Sequence, residues 1–295
     1  MKKIKLQKSA KFWLFISPWL LSFAFFTLTP IVLSFVMSFT GVKITNMFTR
    51  AWKFVGLLNY KDTFTDVQFL RSIGNTFLYS VCKVVLSMAL SLMFALMLYK
   101  DFSGKKVYRV LIYLPAVIPA VSSALLWSLI VYQDRGLLVS LIQTLGGPRI
   151  DFGRPQYAML SVLLINCLGM IGPWMVVLVA ALQSVPQDII EASLLDGCGY
   201  FRRLWKLVIP MISPSIFFLG VTGFINALQS YAEIELLIKN NYYTYTMTMS
   251  IMDNAFGGLG MGYASAQAWV VFVIISVFTA VFFKFFYKKV YYMGE

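Results

Sequence analysis

Residues 184–214 read SVPQDIIEASLLDGCGYFRRLWKLVIPMISP, a polar, basic stretch between two apolar runs at 158–182 and 215–237. Ser184 and Gln187 stand at capping-box spacing with Pro186 in the opening turn, so a helix is predicted to begin there and to stop near Gly197. A second helix follows. Its apolar residues Phe201, Leu204, Trp205 and Val208 fall at i, i+3, i+4 and i+7, and Arg202, Arg203 and Lys206 lie off that stripe. The pattern predicts one face packed on the protein and one in water, with Pro210 and Pro214 ending the helix. Apolar runs of about 20 residues cross a bilayer as helices, because only a helix satisfies its own backbone groups there. The stretch therefore reads as a helical connection between two membrane spans, in an all-α membrane protein.

Working outward, four further runs complete a set of six. Residues 12–39, 110–132 and 264–283 carry no charge, 73–99 carries only Lys83, and 215–237 is interrupted late by Glu233 and Glu235. Of the 295 residues, 59% are hydrophobic and 13% charged, where a soluble domain has roughly 25% charged residues, so a water-soluble globule is excluded. The first run is too long for a signal-peptide core and lacks a small-x-small cleavage site, so it stays as a helix. Lys2, Lys3, Lys5, Lys8 and Lys11 precede it; Lys100, Lys105, Lys106 and Arg109 fill the loop after the second span; Arg202, Arg203 and Lys206 follow the fourth; Lys284, Lys288 and Lys289 close the chain. Their placement puts both termini and these loops in the cytoplasm, against a weaker set (Lys43, Arg50, Lys53, Lys61, Arg71) in the first outer loop. A net charge of +13 distributed in this way marks membrane orientation rather than nucleic-acid binding. No repeat or soluble module is visible, and one membrane domain accounts for the chain.

Absences limit the chemistry. With no His, the commonest metal ligand and general base is missing. Cys82, Cys167 and Cys198 have no metal or disulfide spacing and read as small buried hydrophobes. Gly104-Lys105-Lys106 is no phosphate-binding loop, since no hydroxyl residue follows the lysine and no glycine stands five positions earlier, so this chain is not its own ATPase. The glycines at 257, 258, 260 and 262 read as a flexible outer turn into the last span. Ion-coupled secondary transport is the alternative, but Lys83, Glu233 and Glu235 are thin material for an ion relay.

The loop has a more specific pattern. Glu191-Ala192-Ser193, Asp196-Gly197, Ile209-Pro210 and Pro214 resemble the EAA motif of ATP-binding-cassette importer permeases, roughly E-A-A-x-x-D-G-A with an aromatic and a closing L-P. Residues 14–40, 54–60 (FVGLLNY), 108–127 (YRVLIYLPAVIPAVSSALLW) and 223–235 (GFINALQSYAEIE) look like MalF-type or UgpA-type carbohydrate permeases, and the resemblance covers about residues 12–290. Ser193 and Cys198 replace alanines, Leu204 replaces the usual aromatic with Trp205 next to it, and the large outer domain of some maltose permeases is absent.

The resemblance implies a type I importer permease of six transmembrane helices with a cytoplasmic coupling helix. Its divisions would be a tail at 1–11, a first helix at 12–40, an extracytoplasmic loop at 41–72, the transmembrane domain at 73–287 and a tail at 288–295. It further implies a second homologous permease, two copies of an ATPase that bind ATP and Mg, an extracytoplasmic solute-binding protein and a sugar substrate. No cofactor, metal or catalytic residue is expected on this chain. Coupling to the ATPase is carried over to Glu191, Ala192, Ser193, Asp196, Gly197 and Pro210. For the sugar path, Asn226, Gln229, Tyr231 and Glu233 supply hydrogen-bonding groups beside an aromatic ring. Three of them follow i, i+3, i+7, and Tyr231 joins them only if the helix unwinds.

Overall fold

The computed structural model describes residues 2–46, 52–132, 136–148, 154–237, 242–258 and 260–286. The C-terminal tail at 288–295, including Lys288 and Lys289, lies outside these residues, as do Arg50 of the first outer loop and Leu259. Every described element is helical, apart from an isolated antiparallel bridge between Thr40 and Phe54. Four helices are long and apolar enough to span a membrane: Phe12–Ser38, Val67–Tyr99, Tyr157–Gln183 and Met261–Phe286. Two bent pairs bring the number to six if each pair counts as one crossing. The chain groups into two compact units, one of Met1–Leu70 with Ser250–Phe272 and one of Arg71–Met249 with Val273–Glu295.

In the first unit, the opening helix continues to Ser38 through a wide π turn at Ala24–Leu28. Asn59, on the short Leu58–Thr65 helix, donates to the carbonyls of Ser38 and Thr40 at 2.8 and 3.0 Å and ties this segment to the end of the opening helix. Asp66 accepts the amides of Gln68 and Phe69 at 2.8 and 3.2 Å, a side-chain cap that starts the next helix at Val67 instead of 73. Gly260 and Gly262 are not a loose turn. The Gly262 amide donates to the Val42 carbonyl at 3.0 Å, and a Cβ at 262 would collide with the Thr40 carbonyl.

In the second unit, the Val67–Tyr99 helix presents a buried stripe of small polar residues, Ser72, Thr76, Ser80, Ser87 and Ser91, with Lys83 among them. Small side chains let helices approach where no hydrophobic effect drives them together. Ser91 donates to the Ile171 carbonyl at 3.2 Å, and Thr76 accepts the Met247 amide at 3.0 Å. Phe224 and Phe278 stack at 4.0 Å between ring centroids.

The third predicted span, 110–132, is not straight. Lys105–Val117 ends because Pro119 forces Ile118 into an extended conformation (φ −72°, ψ 127°), and the chain resumes as a helix at Ala120, bent by 103°. The fifth is broken as well. Ser213–Leu228 gives way at 229–231 to the short Ala232–Leu237 helix, and a further helix, Met247–Gly257, forms where the sequence offered only a loop.

Close packing of Lys105–Val117 on Pro155–Gln183 depends on Gly172, where a Cβ would lie 2.7 Å from the Tyr113 Cα and 2.9 Å from the Ile112 carbonyl. Gly172→Ala is expected to destabilise the protein by about 1–3 kcal/mol through overpacking. Gly169→Ala, inside the same helix and with nothing within 4 Å of the added Cβ, should not lower the melting temperature. Equal melting temperatures for the two variants would contradict this packing.

Candidate functional site

The connection after Gln183 differs from the capping-box reading. Ser184 donates its hydroxyl to the Ala181 carbonyl at 2.8 Å and so closes the preceding helix. The next helix, Gln187–Leu195, begins after Pro186 with no side-chain cap, and the Gln187 amide reaches the Tyr99 hydroxyl at 3.4 Å. Its end matches the sequence reading. Gly197 is left-handed (φ +69°), its amide donates to the Leu194 carbonyl at 3.0 Å, and the Cys198 amide donates to the Ser193 carbonyl at 2.9 Å. These two bonds form a Schellman motif, which a glycine at this position favours.

Of the residues assigned to coupling, Glu191, Ala192, Asp196 and Gly197 are exposed. Ser193 is buried, with its hydroxyl on the Ile190 carbonyl at 2.7 Å, and Pro210 is half-buried. The second helix departs from its predicted stripe. Leu204 and Val208 line a cavity of about 140 Å³ beneath the loop, but Phe201 and Trp205 are 74% and 65% exposed. Phe201 and Trp205, four residues apart, share the exposed side, and Leu204 and Val208, also four apart, share the packed side, with a π turn over Leu204–Val208. Pro210 does not end the helix, which runs on to Met211, and Pro214 opens Ser213–Leu228 after a 67° bend. The loop thus presents Leu194, Leu195, Phe201 and Trp205 outward beside Glu191 and Asp196. Just before the Lys105–Val117 helix, the hydrogen bond and charge of Lys105, 2.8 Å away, hold the Asp101 carboxyl below its usual value.

The assigned path residues separate. Asn226 and Gln229 are exposed, and the Asn226 carbonyl accepts the Gln229 amide and the Ser230 hydroxyl. The helix stops there, so the i, i+3, i+7 relation does not carry through to Glu233. Tyr231, half-buried, packs on the core that contains Tyr79, Val162 and Ile165. Glu233 lines a cavity of about 220 Å³ with Lys83, Ser123, Trp127 and Asn166. Asn166 and Trp127 carried no sequence signal, since each is a single residue in an apolar run; Lys83 was visible as the lone charge of its span. Among the described residues, no three of Cys, Asp and Glu converge as a metal site would require.

The sequence pattern of the binding-protein-dependent transport system inner membrane component family matches residues 87–291. The chain belongs to this family. The permease is 32% identical over 278 residues to the probable ABC transporter permease protein YesP of Bacillus subtilis (strain 168), covering 92% of this chain and 88% of that one. It is 31% identical over 256 residues to the sn-glycerol-3-phosphate transport system permease protein UgpA of Yersinia enterocolitica, covering 85% and 86%. Its fold superposes on a chain in the crystal structure of a bacterial alginate ABC transporter in complex with alginate pentasaccharide-bound periplasmic protein. The TM-score is 0.83 at 20% identity, over 96% of each chain. A transport permease with multiple membrane helices, not an enzyme family, is therefore the setting for both candidate regions, and an ion-coupled carrier is set aside.

The Schellman end supplies a test of local order in the loop. Gly197→Ala would force alanine into the left-handed region at about 1 kcal/mol, which predicts roughly fivefold faster hydrogen exchange at 197–198. Unchanged exchange would contradict the turn geometry.

Proposed function

We propose that this permease forms half of the translocation pathway of an ATP-driven importer of sugars or sugar-like polyols, with oligosaccharides as the principal cargo. The observation that carries the reading is the exposed Gln187–Leu195 helix, ended at Gly197 and flanked by outward-facing apolar residues, in a chain that belongs to an importer permease family. An exposed apolar patch rimmed by charge suits a protein partner. In this reading the patch docks on the ATPase, with Glu191 and Asp196 facing basic residues there. ATP and Mg stay on the ATPase, two copies of which serve this chain and a second, homologous permease. The loop around 184–214, the 1–11 tail and the 288–295 tail face the cytosol. The 41–72 segment faces outward, toward a solute-binding protein, and 73–287 is the transport domain. The chain performs no covalent chemistry.

The cargo class is supported by the relatives' names, which specify sn-glycerol-3-phosphate for one and an alginate pentasaccharide on a periplasmic protein for another. Within this chain, the path is assigned to the surface of Asn226 and Gln229 and, beyond the break, to Tyr231 and Glu233. Hydrogen-bonding side chains at a broken helix can exchange partners with sugar hydroxyls, because the backbone there is already freed from the ladder.

Two outcomes follow. In proteoliposomes containing the whole complex and its binding protein, sugar uptake should need internal ATP and survive collapse of proton and sodium gradients, whereas Asn226→Ala with Gln229→Ala should reduce it at least tenfold while the complex stays assembled. Uptake abolished by an ionophore with ATP maintained would reject the ATP-driven reading. In detergent extracts, Glu191→Lys should lower the amount of ATPase that co-purifies with the permease by replacing a charge-assisted contact with a repulsive one; full recovery of the ATPase would reject that contact.

A further inference from the structure

Lys83 sits within the Val67–Tyr99 helix and is 6% exposed. An ionisable group at membrane depth is costly unless it is paired or serves a site, so its neighbours decide its role. Its ammonium reaches the Ser230 hydroxyl at 3.4 Å, the long end of hydrogen-bond range, and lies 5.3 Å from the centre of the Tyr79 ring. No carboxylate among the described residues lies within 4.0 Å of it. Glu233 lines the same cavity and acts on Lys83 through space, but outside ion-pair distance.

Asn166, 8% exposed, lines that cavity as well. Its amide nitrogen and the Tyr79 hydroxyl are buried, and neither makes a hydrogen bond that closes in both distance and angle, although the two groups lie near one another and Ser230. Lys83 and Asn166, from two helices, therefore both bring a donor group to the wall of this cavity, and the Asn166 amide nitrogen there has no hydrogen-bond partner. Had Lys83 and Glu233 been retained only to hold helices together, direct contact would be expected, since a buried ion pair gains enough to offset desolvation only at close range.

We propose that this cavity is a subsite for the anionic group of a polyhydroxylated substrate, a carboxylate or a phosphate, with Lys83 as its counter-charge and Asn166 as a second donor. Glu233 accepts from hydroxyls next to that group, and Trp127 offers an apolar face for the sugar ring. The subsite discriminates by charge: a neutral analogue leaves the ammonium without a counter-charge in direct contact, and a site with unfilled polar groups rejects such a ligand strongly. The assignment rests on the importer reading above and extends it to a substrate class.

The test uses the assembled complex of both permeases and the ATPase in nanodiscs, without the binding protein, so that only the membrane subunits select. Calorimetric titrations compare digalacturonate, its neutral dimethyl ester and glycerol 3-phosphate. At least one anion should bind tenfold or more tightly than the ester. Digalacturonate alone would assign a uronic acid, glycerol 3-phosphate alone a phosphorylated polyol. Lys83→Met should weaken anion binding at least tenfold with the ATPase still co-purifying. Equal binding of acid and ester, binding of neither anion, or unchanged binding by Lys83→Met would overturn the proposal. If Lys83→Met does not assemble, Lys83→Met with Glu233→Gln decides: recovery of assembly together with anion binding makes the charges architectural and overturns it, recovery of assembly alone supports it. If neither variant assembles, the ester comparison on the unaltered complex decides. ATP-driven uptake of a neutral sugar by a complex that refuses both anions would leave the importer reading standing and this subsite rejected.

Discussion

A peptide group in hydrocarbon has no water to bond, so each amide and carbonyl must find its partner inside the protein. That constraint makes the chain helical throughout its spans, and it gives the two interruptions their meaning. At 229–231 the freed groups are met locally: the Ser230 amide donates to the Ala227 carbonyl at 3.2 Å, and the Thr246 hydroxyl to the Ser230 carbonyl at 3.3 Å. At 117–119 the chain turns on Pro119 and restarts when the Ser123 amide reaches the Pro119 carbonyl at 2.9 Å. Ser123 and Trp127 after one break, and Glu233 after the other, line the same cavity. Irregular backbone at membrane depth is tolerated where it borders protein or a polar space, and here it does so.

The same constraint shapes the 184–214 connection. Outside hydrocarbon, a helix end can be satisfied by a two-bond turn, and Gly197 supplies the left-handed residue that this turn needs. The result is a short, well-ended helix with an exposed face, joined to the Pro155–Gln183 helix on one side and, through the Tyr200–Met211 helix, to Ser213–Leu228 on the other. Movement imposed on that helix has a route along the chain to two long apolar helices, one of which carries Asn166 and the other of which leads to the break beside Glu233. This continuity is what a coupling element requires, since coupling travels through packed, contiguous elements.

Hydropathy alone located the apolar runs, because their length matches the bilayer and their charges are few. The stop at Gly197 was also legible, because glycine after a short helix has few other uses. Other features turned on which local bond or which helix side the chain adopts, and a linear pattern does not decide between these. Ser184 had cap spacing but bonds backwards to Ala181; Asp66 extends a helix into what read as a loop; Phe201 and Trp205 face outward although they completed the apolar stripe. Pro119 could have signalled the bend in the third run. The break at 229–231 has neither proline nor glycine, so nothing local announced it. The cavity was the least legible feature, because Lys83, Asn166 and Glu233 come from three distant segments.

The central claim is that the Gln187–Leu195 helix is the surface through which ATP hydrolysis reaches the membrane helices. Leu195 is 90% exposed at its end and provides the most direct probe. In a Cys198→Ser background, Leu195→Cys should cross-link to the ATPase through a short bis-maleimide when an acceptor cysteine is placed on the ATPase surface facing the membrane, and the cross-link should stop transport. No cross-link to any position on that surface, in a complex that transports sugar with ATP, would contradict the account.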